Sequence, residues 1–294
     1  GQDGRQNYFL NAGDNVSVTA TFREAVIVDN SSGNPTITLV VGSTNRTATY
    51  ASGDNSTDLV FRYTIQAGDN DTNGISIGAN ALALNSSTIS DRAGNIATDL
   101  THDAVGNNSS YKVDTTPPTV SSVAITSAEG IQNNFLNEGD NVSVTATFRE
   151  AVIVDNSSGN PTLTLAVGSD NRTATYASGD NSTDLVFRYT IQSGESDYNG
   201  ISIGANALAL PNSSTISDRA GNIATDLTHD AVGNNSSYKV DATEFLVDNF
   251  TMSDTELKLG DNATVTLVFS EAVILFNSDD DITADNGSLS TMTS

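Results

Sequence analysis

Val16-Ser17-Val18-Thr19-Ala20-Thr21-Phe22 alternates apolar and polar residues without a break. A period of two sends successive side chains to opposite faces of an extended strand. Val16, Val18, Ala20 and Phe22 therefore share one face, and the hydroxyls take the other. The same alternation governs residues 36–41, 47–50, 59–65, 75–77 and 111–113. These runs are rich in Thr, Val, Ile, Phe and Tyr, and the gaps between them are filled by Gly, Asn, Asp and Ser. No stretch sustains the 3.6-residue apolar period of a helix. The pattern predicts an all-β chain whose first core contains Val18, Ala20, Phe22, Leu39, Leu59, Phe61, Tyr63, Ile75 and Ile77.

The whole pattern then recurs. Residues 137–241 repeat residues 11–114 with a handful of substitutions and one inserted residue, Pro211. The run GDNVSVTATFREAVIVDNSSGNPT is the same, letter for letter, at residues 13–36 and 139–162. A more distant third copy starts at residues 259–273, LGDNATVTLVFSEAV. Strands of this length with regular turn signals predict tandem antiparallel β-sandwiches of immunoglobulin type, with about seven to nine strands per copy. The expected divisions are residues 1–116 (a first repeat lacking its first strand), 117–241 (a complete repeat) and 242–294 (the N-terminal part of a divergent third). The missing strand is inferred because residues 119–126, TVSSVAIT, have no counterpart ahead of the first copy. The chain reads as a window on a longer polypeptide. The alternative is subunits that exchange strands; one donated strand would complete the first copy but not the third. Pro117 and Pro118 predict a stiff first junction, whereas residues 240–244 carry no proline and predict an adjustable second one.

Composition narrows the partners. Twelve Lys and Arg stand against a net charge of −24, so the positive patch that phosphates need is missing. Nucleic acid and anionic membrane surfaces are not expected partners; cations are. The sequence has no Cys, which excludes disulfides, thiol catalysis and Cys-ligated zinc. No apolar run reaches the roughly 20 residues of a membrane span, so no direct membrane insertion is expected. Catalytic signatures are missing too: no nucleophile elbow, no phosphate-cradling loop and no metalloprotease helix. His102 and His229 occupy equivalent Thr-His-Asp turns and are expected to be exposed turn residues. The chain is read as non-enzymatic. Near-identical tandem copies suit a spacer or lattice element, in which self-association with neighbouring subunits sets spacing.

Three features carry candidate sites. Asp69-x-Asp71-x-Asn73-Gly74 has the alternate oxygen ligands and tight turn of half a calcium loop, and the second copy keeps oxygen ligands at Glu195, Asp197 and Asn199. An acidic β-turn explains the same residues. Asp14, Asp140 and Asp261 precede equivalent strands, and Glu24, Glu150 and Glu271 follow them; both sets are expected to be structural. Asn-x-Ser/Thr sequons begin at Asn15, Asn30, Asn45, Asn55, Asn70, Asn85, Asn107, Asn108, Asn141, Asn156, Asn171, Asn181, Asn212, Asn234, Asn235, Asn249, Asn262 and Asn286. Most fall in predicted turns from which a glycan projects.

The runs VDTTPPT, GDNVSVTATFREAV, DLVFRYTI, GDNDTNGISI and DRAGN together resemble the tandem immunoglobulin-like repeats of large prokaryotic cell-surface proteins: surface-layer proteins, adhesins and swimming-associated surface proteins. The resemblance spans essentially the whole chain. It implies an extracellular, cell-surface location and a structural role, either in a glycosylated lattice or filament or in a calcium-stiffened adhesin stalk. It also implies calcium between modules, with Asp114 and Asp241 at the module exits as ligands near the two DRAGN turns, Asp91/Asn95 and Asp218/Asn222. Side-chain-to-backbone turn bonding is the alternative role of those turns.

Overall fold

A computed structural model describes residues 7–273, 282–283 and 288–290. Its regular elements are strands, with a single three-residue 3-10 turn at Pro211–Ser213. The first copy contributes β1 (Phe9–Leu10), β2 (Asn15–Asp29), β3 (Thr36–Val41), β4 (Thr44–Ser52), β5 (Ser56–Thr64), β6 (Asn70–Asp71), β7 (Ser76–Ala83), β8 (Thr88–Ser90) and β9 (Lys112–Asp114). They form a six-stranded sheet in the order β7-β3-β4-β5-β2-β8, and a three-stranded sheet β1-β9-β6. Leu10 and Val113 of the small sheet and Val16, Leu39, Leu59 and Phe61 of the large one share a single buried cluster. The alternation seen in the sequence is what makes this sandwich: every second side chain of β3 and β5 is buried between the sheets.

β2 is much longer than its clean alternating run. Its first half pairs with β5, the register shifts between Thr21 and Val26, and its second half pairs with β8. The polar pair Arg23-Glu24 interrupts the alternation at this shift, and the strand bends from one neighbour to the other.

The second copy adds β10 (Val120–Glu129), β11 (Phe135–Leu136), β12 (Asn141–Asp155), β13 (Thr162–Val167), β14 (Asp170–Ser178), β15 (Ser182–Thr190), β16 (Ser196–Asp197), β17 (Leu208–Ala209), β18 (Thr215–Ser217) and β19 (Lys239–Asp241). Its large sheet runs β10-β12-β15-β14-β13-β17, with β18 also on β12, and its small sheet is β11-β19-β16. Two differences separate it from the first copy. β10 lies antiparallel along β12, from Val120 opposite Phe148 to Glu129 opposite Asn141. And β17 has two residues where β7 has eight: Leu208 and Ala209 keep the pairing with Leu163 and Thr162 that Leu82 and Ala83 make with Ile37 and Thr36. The strand expected at residues 201–203 is reduced to isolated bridges, Ser202 to Ala166 and Ile203 to Val232.

Most of the expected core is buried in the first copy. Val18, Ala20, Phe22 and Ile77 are only partly buried there, whereas Val144, Ala146, Phe148 and Ile203 are fully buried in the second. The third segment gives one hairpin, β20 (Val247–Met252) with β21 (Val265–Phe269). Phe245 stacks on Phe269 with ring centroids 5.4 Å apart.

Candidate metal centre at the first junction

The Asp-x-Asp-x-Asn-Gly loop does not present its carboxylates to an ion. Asp69 is buried and accepts hydrogen bonds from Arg46 Nε at 2.6 Å, Tyr63 Oη at 2.6 Å and Gln66 N at 2.9 Å. Asp71 accepts from Gly42 N, Asn73 N and Gly74 N at 2.7–3.0 Å. The Arg46 guanidinium already supplies the positive charge that a calcium ion would bring. Burial raises the Asp69 pKa, but the bonds from Tyr63, Gln66 and Arg46 outweigh it and hold the group below the usual carboxylate range. Burial, together with the hydrogen bond to the Asp69 carboxylate and its charge, pushes the Tyr63 hydroxyl up to about 12. In the second copy Glu195 takes Arg172, Tyr189 and Gln192 N, and Asp197 takes Asn199 N and Gly200 N. Against the calcium expectation, Asp69, Asp71, Asn73, Glu195, Asp197 and Asn199 therefore serve turn closure and an internal ion pair. An inward-facing acid bonded by its own neighbours is the acidic β-turn that the residues equally allowed.

Carboxylates do converge elsewhere. Asp114 at the end of β9, Glu150 within β12 and Asp218 after β18 each place an oxygen within 4.8 Å of the others. Asp114 belongs to the first copy; Glu150 and Asp218 belong to the second. The DRAGN turn supports the cluster. Asp218 is 1% exposed, and its Oδ1 accepts the backbone N–H groups of Ala220 and Asn222. The Asn222 amide donates both to Asp218 Oδ2 at 2.7 Å and across the junction to the Asp114 carbonyl at 2.9 Å. Phe9, Ala151, Arg219 and Ala220 complete a cleft of about 230 Å³. Burial raises the Asp114 pKa, and the Asp218 charge adds to it. Burial raises the Glu150 pKa likewise, with further contributions from Asp218 and Asp114. Three acids held together, with no ion-paired Lys or Arg among the described residues, repel one another. Oxygen donors in that arrangement fit a hard divalent cation.

Asp114 was anticipated as a ligand and stands in this cluster. Glu150 was expected to be structural and instead faces the junction. The signal available in sequence was its recurrence, with Glu24 and Glu271, at the same strand position in every copy. Asp241 stands differently: burial raises its pKa, but hydrogen bonds from Thr243 and Tyr198 outweigh it and keep the group low. The structure does not bring Asp241 into a cluster of three acids among the described residues. Asp14, Asp140 and Asp261 each accept the N–H three residues before them, as turn organisers do. His102 and His229 are half-buried rather than exposed, each accepting through Nε2 from a backbone N–H, of Ala81 and Ala207 respectively.

Residues 241–294 match the family model of a bacterial Ig-like domain. The matched stretch includes LGDNATVTLVFSEAV, whose pattern also opens the two upstream copies, so the similarity and the sandwich topology agree. No curated protein matches the chain. The fold is all-β, of antiparallel Ig-like sandwich type, and the similarity over residues 241–294 is to a bacterial Ig-like domain. Among the described residues no helix is long and apolar enough to cross a membrane.

Of the sequon asparagines, Asn30, Asn45, Asn55, Asn70, Asn85, Asn107, Asn108, Asn156, Asn171, Asn181, Asn212, Asn234, Asn249 and Asn262 are exposed. Asn15, Asn141 and Asn235 are half-buried, and Asn15 and Asn141 each accept a Thr hydroxyl from the neighbouring strand. Asn286 lies outside the described residues.

Proposed function

We propose that the chain is a non-enzymatic structural segment of a large extracellular prokaryotic surface protein, built into a surface-layer lattice or filament, glycosylated on exposed sequons and associating with neighbouring subunits. The observation that carries this reading is the serial arrangement of two nearly identical sandwiches, the end of one bonded into a turn of the next through Asp114 and Asn222. Repeated modules of this kind set a fixed spacing and transmit load along the chain. The divisions 1–116, 117–241 and 242–294 are the repeat units we assign. Cryo-electron tomography of source cells, labelled with an antibody against this segment, tests the reading. Label over a continuous periodic coat is expected; label confined to the cell interior overturns it.

A second reading, the calcium-stiffened stalk of an adhesin, is favoured by the acid cluster. Asp114, Glu150 and Asp218 would hold the ion, which would neutralise their repulsion and tie the two modules together. Label on sparse projecting fibres, together with chelator-sensitive bending between the modules in small-angle scattering, would select it over the lattice.

A further inference from the structure

The outer edge of β2 over its first half has no strand partner among the described residues, since β8 reaches only residues 27–29. The same edge of β12 carries β10. β2 and β12 are identical in sequence, NVSVTATFREAVIVD, so an edge that accepts a strand in one copy has the chemistry to accept it in the other. In the second copy Val120, Val123 and Ile125 of β10 are buried in the core. They lie opposite Phe148, Ala146 and Val144, and the Thr119 carbonyl accepts from Arg149 N at 3.0 Å. In the first copy the counterparts Phe22, Ala20 and Val18 instead line an open groove of about 800 Å³, with Ile37, Ile77 and Leu82 along its floor.

We propose that this groove is the seat of one added β-strand of the β10 kind. The occupant is an extended segment with aliphatic side chains at the positions of Val120, Val123 and Ile125 and polar residues between them. It lies antiparallel to β2 and is presented by another module of the same kind, as the first copy presents β10 to β12. Backbone pairing supplies the affinity, and the three aliphatic side chains set the register. The inference rests on the tandem-array reading but not on its location or on calcium, so its failure would leave the tomography result standing.

The test places the sequence of residues 116–126 ahead of Gly1, which aligns with Ser127. Amide hydrogen exchange over residues 17–23 is then compared with residues 143–149 of the same molecule. The expected result is at least a tenfold gain in protection of residues 17–23, lost when the grafted counterparts of Val123 and Ile125 are changed to Asp. The second copy serves as an internal control for folding. A synthetic peptide of residues 116–129, added in trans to the unextended chain, is expected to give the same protection and a saturable shift in its thermal transition. The proposal is overturned if graft and peptide both leave exchange unchanged, or if the Asp variants protect equally well. It is also overturned if the unextended chain protects this edge by self-association that the graft fails to displace; a second copy would then be the occupant.

Discussion

Phe22 and Phe148 occupy the same place in the same fifteen-residue strand, yet Phe148 is 2% exposed and Phe22 is only partly buried. Ala93 and Ala220 differ in the same way: Ala93 is exposed, whereas Ala220, in the turn that meets the first copy, is 2% exposed. Identical residues thus acquire different environments from two neighbours, the added strand β10 and the preceding module. Local sequence sets the strand; its partners set how much of it is buried, and hence what it contributes to stability.

The largest expected effect follows from that contrast. Phe148→Ala should destabilise the second copy by about 3–5 kcal/mol, as deletion of a buried aromatic does, and Phe22→Ala should destabilise the first by less than half as much. Denaturant unfolding with a probe in each copy measures both. Equal losses would break the comparison.

Calcium comes next. At about a hundred times its dissociation constant, calcium should add roughly 2.7 kcal/mol to the state that binds it, seen as a higher melting temperature that chelator reverses. Asp218→Asn should abolish the gain, and Asp91→Asn, the equivalent change in the first copy, should leave it intact. Loss with Asp91→Asn instead would place the ion in the wrong module.

The pH response sharpens this further. The folded pKa values of Asp114 and Glu150 lie above their ordinary values of 3.8 and 4.5. Their contribution is therefore fully present below those values and is lost as pH rises through the raised ones. In chelator, Glu150→Gln should melt higher than the parent at neutral pH, and the advantage should vanish in acid. In calcium the order should reverse. Glu24→Gln, the counterpart in the first copy, should show no such reversal.

The smallest effect is expected where the copies differ in sequence but not in bonding. Asp69→Glu installs the second copy's residue, which finds the same Arg, Tyr and backbone donors there, and should cost under about 1.5 kcal/mol. Melting with and without chelator should be displaced equally. Chelator sensitivity lost with this change would reinstate the loop as a calcium site.

The strands with clean alternation were legible from sequence, because their burial is decided within one sheet: residues 36–41 coincide with β3. The two-residue strands β1 and β6 were not, since two residues carry no period. The contraction of β7 to β17 was not legible, because residues 76–83 and 202–209 are identical in sequence. The site was harder to read for a related reason. Asp69 and Asp71 have ligand-like spacing, but spacing does not reveal Arg46 on a neighbouring strand. Asp114, Glu150 and Asp218 are far apart in sequence and meet only where one module ends on the next. Recurrence of the Glu at a fixed strand position was visible; the contact that gives it a role was not.

The identity of β2 and β12 has a kinetic consequence. While the chain folds, β10 meets two destinations of equal local affinity, one completed before it along the polypeptide and one made after it. Only the surrounding contacts, the junction among them, distinguish the correct pairing. Near-identical neighbours are prone to such misassembly. Refolding of the whole chain should therefore populate a mispaired species, with β10 folded back on the first module. That species should resolve only as fast as the wrong ladder opens.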